Sequence, residues 1–369
     1  MNKNLIAVAI ASAMAIPATT MAGDLTVYGQ AQIEVSNTSF DRDNADIDSV
    51  TAVADNARGR VGFKATEDLG GKLKGIAKFE FKADTADGVA SSSSDASLTK
   101  RELMVGLKGV FGQFEGGRLK TSYKYTGGVK YDPFVATALE ARGTAGMSGK
   151  TGPGGSFGHN GFQDNMLAWR SPNWGGFTLD AMYGVETDDG SYQVAAKWSI
   201  PMVEIFLAAN DAGDLICGAA ANCTDAYSAV KFGGQLRLGG GNHKISLQYE
   251  ATDVTDADDG NNATSNDDSD PTHIFLGYDG KFGGKTHFVA QLGLADYSSY
   301  KTLSDPTDPT SAVVEVKSHA EVYYSLGAIY KFSKQTRVFG GFRITGDDIE
   351  NVNNAAMTWS VGIRKDFKS

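Results

Sequence analysis

The stretch from Ala355 to Phe367, A-A-M-T-W-S-V-G-I-R-K-D-F, constrains the fold most. Met357, Trp359, Val361, Ile363 and Phe367 share one parity, while Thr358, Ser360, Gly362, Arg364 and Asp366 share the other. This is the period of a strand with one apolar and one polar face. A soluble sandwich contains such strands too. Here the strand closes a chain that repeats the pattern many times and opens with an export segment, so the apolar face is expected to meet lipid.

The export segment is residues 1–22. Lys3 supplies a positive start, Leu5 to Ile16 an apolar core, and Thr20-Met21-Ala22 small residues for cleavage before Gly23. Its apolar core is too short to span a bilayer comfortably, and no later apolar run reaches the roughly 20 residues of a transmembrane helix. Removing it leaves 347 of the 369 residues, enough for one large barrel. The 45 glycines, 14 tyrosines and 19 phenylalanines against 8 prolines favour strands and tight turns.

Sixteen segments have strand character: 24–36, 56–69, 72–83, 98–109, 112–120, 163–171, 175–187, 191–199, 202–210, 226–238, 243–254, 272–281, 285–298, 318–332, 335–346 and 355–367. Short turns such as Gly70-Gly71 and Ser333-Lys334 are interleaved with polar segments such as 37–55, 84–97, 211–225, 255–271 and 299–317. Short connections at one end and long ones at the other characterise a sixteen-stranded antiparallel transmembrane barrel, all-β, with periplasmic turns and extracellular loops. Around Arg101 the pattern falters, since Leu103, Val105 and Leu107 lie on the arginine's own parity. Trp169, Trp174, Trp198 and Trp359 lie near strand ends and read as interfacial girdle residues.

One connection is exceptional. Residues 121–162 carry ten glycines, Pro133 and Pro153, and no sustained period. A structureless connection of this length is functional or disordered, and a sixteen-stranded barrel has a water-filled lumen into which it can fold. The region is expected to fold inward.

The net charge is -10, or -11 without Lys3, which makes nucleic acid a poor partner. Aspartates gather at 41–55 and 253–270, the composition of hydrated loops; no strict calcium-loop spacing accompanies them. Cys217 and Cys223 are expected to form a local disulfide in an oxidising compartment, and no further Cys or His nearby suggests a metal site. His159, His243, His273, His287 and His319 are scattered and no G-x-S-x-G elbow occurs, so no catalytic residue and no cofactor is expected.

Five motifs carry a resemblance: D-L-T-V-Y-G at Asp24 to Gly29, R-V-G-F-K-A-T-E-D-L-G-G at Arg60 to Gly71, R-E-L-M-V-G-L-K-G-V-F-G at Arg101 to Gly112, G-R-L-K at Gly117 to Lys120, and the closing S-V-G-I-R-K-D-F. In these the chain resembles the trimeric, sixteen-stranded general porins of Gram-negative bacteria. The resemblance implies a homotrimer in the outer membrane, in contact with its lipid and lipopolysaccharide, passing ions and small hydrophilic solutes through a water-filled pore.

It further implies that residues 121–162 form an inward-folded constriction loop, with Arg60, Arg101 and Arg118 as basic wall residues facing Asp132 and Glu140 on the loop, and Arg142 beside them. Gln30 stands where relatives often have lysine, and the acidic P-E-F-G-G element of many relatives is replaced by Y-D-P-F-V-A-T-A-L-E-A-R-G. Lys124, Lys130, Arg142 and Lys150 outnumber the loop's two acids, so a weakly selective or anion-preferring channel is the alternative, beside a surface or adhesive barrel. Relatives commonly end on the final aromatic, whereas Lys368 and Ser369 follow Phe367 here.

Overall fold

The computed structural model describes residues 23–41, 49–56, 58–86, 98–140, 162–185, 190–211, 225–256, 272–297, 300–303, 313–316, 319–347 and 355–369. The leader, the Cys217–Cys223 pair and Arg142 lie outside them. The strands are β1 (Gly23–Asp41), β2 (Ser49–Ala54), β3 (Arg60–Gly70), β4 (Leu73–Ala83), β5 (Leu98–Gly109), β6 (Gly112–Lys120), β7 (Phe162–Arg170), β8 (Phe177–Gly184), β9 (Ser191–Ser199), β10 (Val203–Asp211), β11 (Asp225–Leu238), β12 (His243–Asp256), β13 (Thr272–Phe282), β14 (Thr286–Tyr297), β15 (Tyr300–Leu303), β16 (Val313–Val316), β17 (His319–Lys331), β18 (Thr336–Asp347) and β19 (Ala355–Lys368).

Seventeen of these form one antiparallel sheet, and β2 and β3 pair in succession along β1, so they are two halves of one stave. The result is a sixteen-stranded barrel, closed where β19 returns to β1 from Tyr28↔Lys368 to Asp41↔Ala355. Closure leaves no unpaired sheet edge in lipid, where each unsatisfied backbone group would cost several kcal/mol.

The alternation read from the sequence sorts the side chains. On β19, Met357, Trp359, Val361 and Ile363 are exposed while Thr358, Ser360 and Arg364 are buried; on β12, Ile245 and Leu247 are exposed while Ser246, Gln248 and Glu250 are buried. Apolar outside and polar inside is the reverse of a soluble protein and fits a lipid-facing wall around a polar lumen. An aromatic cluster of Phe111, Phe114, Trp169, Trp174 and Phe177 covers the outer wall at the short-turn end, with neighbouring ring centroids 5.6–6.4 Å apart. Leu247 lies at mid-stave, 55% exposed and opposite Leu276. Leu247→Arg is expected to lower the unfolding free energy in a bilayer by about 2–4 kcal/mol. The check is a urea titration of the lipid-reconstituted protein beside the parent.

Two boundary expectations need correction. The first stave continues to Asp41 and β2 forms within 49–54, both inside the segment read as a loop. Asn37, Thr38 and Ser39 hide the strand because both faces are polar there; they are held by the ladder and by side chains such as Thr38 Oγ1, 2.9 Å from Thr358 Oγ1. Within 299–317, also read as loop, β15 and β16 pair as a separate two-stranded ladder. Beyond Phe367, Lys368 and Ser369 continue alongside β1: the Ser369 N–H donates to Val27 O at 2.9 Å and Val27 N–H to Ser369 Oγ at 3.0 Å.

Candidate functional site

β4 carries an alternating stretch, Lys78-Phe79-Glu80-Phe81-Lys82. Period 2 turns Phe79 outward, where it is 49% exposed, and Glu80 inward, where it is buried. Four groups converge on this carboxylate: Tyr28 Oη donates at 2.8 Å, Arg101 Nε donates at 3.0 Å, and Arg60 Nη1 and Lys78 Nζ lie 3.6 Å away. Lys78 also pairs with Glu102. Tyr28 reaches Glu80 across Gly62, where a Cβ would sit 2.5 Å from the tyrosine Cζ.

Arg101 reaches the lumen through a bulge. β4 and β5 are in register at Glu80↔Glu102 and again at Phe81↔Lys100, which leaves Arg101 as the extra residue. A bulge re-aims its side chain, so Arg101 turns inward although Leu103, Val105 and Leu107 of the same parity do not. Its guanidinium also lies 4.6 Å from the Phe162 ring centroid. Arg118 is placed differently. It stands opposite Leu103, donates through Nε to the Arg101 carbonyl at 3.1 Å, and pairs with Asp164 at 2.7 Å rather than joining the Glu80 cluster.

Residues 121–140 dock on inward-facing side chains around much of the circumference. Gln32 Nε2 donates to Ala136 O at 2.6 Å, Ala138 N–H to Glu34 Oε2 at 3.1 Å, Tyr123 N–H to Gln193 Oε1 at 3.1 Å, and Gly128 N–H to Gln248 Oε1 at 2.6 Å. Tyr131 Oη donates to Glu204 at 3.2 Å and stacks edge-on with Phe206 at 5.7 Å. Burial pushes the Tyr131 phenol above its ordinary pKa and the Glu204 carboxylate adds to the shift, so it remains a proton donor at physiological pH. Wall lysines meet loop rings, Lys231 over Tyr123 at 4.4 Å and Lys120 over Tyr125 at 4.8 Å. Local chain conformation is a helical turn at Ser122–Tyr125 and a 3-10 turn at Gly128–Lys130.

The two acids singled out on this segment accept hydrogen bonds from the segment itself and, for Asp132, from the wall. Asp132 is buried and accepts from Phe134 N–H at 2.7 Å and from Gln291 Nε2 at 2.5 Å. Glu140 Oε2 accepts from Ala136 N–H at 2.6 Å. The carboxylate that pairs with both Arg60 and Arg101 is Glu80 of the wall. Sequence reasoning placed Lys78 on the polar face of its strand but passed over Glu80 and Tyr28, although the K-F-E-F-K alternation marks Glu80 as inward. A recess of about 760 Å³ beside this wall is lined by seven cationic side chains, among them Lys64, Lys78 and Lys120, against Glu102 and Glu115.

A closed barrel with apolar exterior, charged interior and a chain segment docked within defines a membrane channel of the porin class. Residues 6–348 match the profile of Gram-negative porins, and the chain belongs to that family, which places it in the outer membrane. Among curated relatives, the major outer membrane protein P.IB of Neisseria meningitidis is 36% identical over 133 residues, covering 35% of this chain and 37% of the relative. The matched part thus takes in little more than a third of that relative's length. Among solved structures, the anion-selective porin from Comamonas acidovorans superposes with a TM-score of 0.72 at 19% identity over 94% of this chain and 100% of that one. The trimer form of OmpT from Vibrio cholerae gives 0.65 at 15% identity, over 94% and 100%. At these identities the structural likenesses speak for the fold.

Proposed function

We propose that the chain is a general diffusion porin: a homotrimer in outer-membrane lipid and lipopolysaccharide whose water-filled pores pass ions and small hydrophilic solutes, with no catalytic step. The observation that carries this reading is residues 121–140 held inside a closed barrel by wall hydrogen bonds, which narrows the lumen without filling it with apolar core. In a narrow water column flanked by low-dielectric protein, lining charges act more strongly than on an open surface. The eyelet charges in this reading are Arg60 and Arg101 with Glu80, and Glu140 on the loop; Asp132 anchors the loop, and Arg118 sits outside the cluster. A preference for anions is the second reading, favoured by the cation-rich recess.

The test is single-channel recording in a planar bilayer under a salt gradient. Arg60→Ala is expected to move the reversal potential toward cation preference and Glu140→Gln toward anion preference, with conductance steps grouped in threes. Folded protein that produces no steps excludes the pore. Shifts of equal sign in both variants exclude this placement of the eyelet.

A further inference from the structure

Three neighbouring staves set cations side by side on the lumen face. Lys331 of β17 stands directly opposite Arg337 of β18, and Arg337 directly opposite Arg364 of β19. Like charges directly opposite one another destabilise a sheet. Asp366 answers part of this row: it takes a two-pronged contact from Arg364 at 2.8 and 3.3 Å and one from Arg337 at 3.5 Å. Arg58 then approaches from the break between β2 and β3. The turn that places it is fixed by Asp55, whose carbonyl accepts from Arg58 N–H at 3.0 Å and whose carboxylate accepts from Gly59 N–H at 3.3 Å. Arg364, Arg60 and Arg337 act on the Arg58 guanidinium, with Asp366 opposing them, and its Nε is buried without a hydrogen-bond partner.

Arg58, Lys331, Arg337 and Arg364, together with Lys130 and Lys244, line one cavity of about 210 Å³ between the 130–135 part of the loop and the β11–β19 wall. The acids on its far side are engaged: Asp279 pairs with His287 at 2.7 Å and Lys244 at 3.8 Å, and Asp132 holds the loop. Three arginines share the one carboxylate of Asp366, while Lys331 has only Asp279, which Lys244 and His287 also hold; with an unpaired guanidinium nitrogen on Arg58 this is an electrostatically incomplete cluster. Planar guanidinium groups complete such clusters by binding carboxylate or phosphate oxygens in pairs.

We infer that Arg58, Lys331, Arg337 and Arg364 form an oxyanion subsite in the lumen, which adjoins the Glu80 cluster through Arg60, whose Nε donates to the Arg58 carbonyl at 3.2 Å, and which takes a compact phosphate or carboxylate solute on its way through the pore. The inference rests on the channel reading and names a solute class for it. Transit through such a site saturates, because an anion held by several charge-assisted hydrogen bonds leaves slowly compared with chloride and occupies the path meanwhile.

The experiment records chloride conductance of the purified full-length protein at fixed ionic strength while inorganic phosphate, or in a second arm acetate, replaces part of the chloride. A saturable fall in conductance at millimolar phosphate is expected, with acetate acting more weakly if charge dominates and equally if the carboxylate-sized fork does. The half-effect concentration should rise at least about tenfold in Arg58→Gln/Arg337→Gln, the loss of roughly one charge-assisted contact. Arg101→Gln, which belongs to the Glu80 cluster, should keep the phosphate response while its reversal potential changes. A response to phosphate that is linear in the unaltered protein overturns the site, as does an unchanged half-effect in the double variant. Absence of channels in the unaltered protein would instead sink the channel reading itself.

Discussion

Replacing Glu80 with alanine is expected to destabilise the barrel by about 3 kcal/mol and to shift its reversal potential further toward anions than any single loop substitution. Glu80 is buried and holds Tyr28, Arg101, Arg60 and Lys78 within 2.8–3.6 Å. Removing one partner of a buried pair leaves uncompensated charge, which typically costs 3–5 kcal/mol; residual water in the lumen argues for the lower end. Glu80→Gln retains the shape and a hydrogen-bond acceptor for Tyr28 but not the charge, so its stability should fall between the two. Urea midpoints in lipid measure the first effect and salt-gradient recordings the second. A midpoint for Glu80→Ala equal to that of a rim substitution such as Asp68→Ala would mean that the four contacts contribute nothing.

The second large effect is expected from Phe134→Ala, through the loop rather than the wall. Phe134 and Leu139 are almost wholly buried and pack with Val289, Ile329 and Phe339 on the inner wall. Beside them Tyr323 Oη lies 2.5 Å from the Leu139 carbonyl and 3.0 Å from Gln291 Oε1, while Gln291 also holds Asp132. Truncating a buried phenylalanine costs about 3–5 kcal/mol. Here that loss falls on docking of residues 121–140, because the barrel ladder does not depend on the ring. Single-channel conductance should increase and become noisier, with little change in the barrel's unfolding midpoint. Conductance equal to the parent's would show that the segment does not set the narrowest passage.

Much of the architecture was legible beforehand for a simple reason. In a barrel that meets lipid on one face and water on the other, every stave must alternate, and a one-residue slip would turn its whole apolar set into the lumen. Met357, Trp359, Val361 and Ile363 could therefore be assigned outward from spacing alone, as could Leu247 and Tyr324, and their exposure agrees. The rule fails where alternation is absent or broken. Asn37 to Ser39 carry no apolar face, so the extension of β1 had no mark in the chain.

The site was legible only in part. The inward side of Arg60 follows from its parity, but that of Arg101 depends on a bulge whose existence is decided by how β4 and β5 pair. The alternating K-F-E-F-K announced an inward Glu80, yet nothing local said that Tyr28, Arg60, Lys78 and Arg101 would meet there, because they come from four staves whose relative register is a property of the closed sheet.

By itself, the order of residues determined the number of staves, the outward face of those that alternate and the position of one exceptionally long connection, because hydrophobic period and turn chemistry are local. Only the tertiary structure decided which charges neutralise one another. It gave the arginines a partner on the wall and made Asp132 an anchor, and it set Lys331, Arg337 and Arg364 in one row. Coulombic partnership falls off over a few ångströms, and distances of that size between remote segments exist only once the barrel has closed.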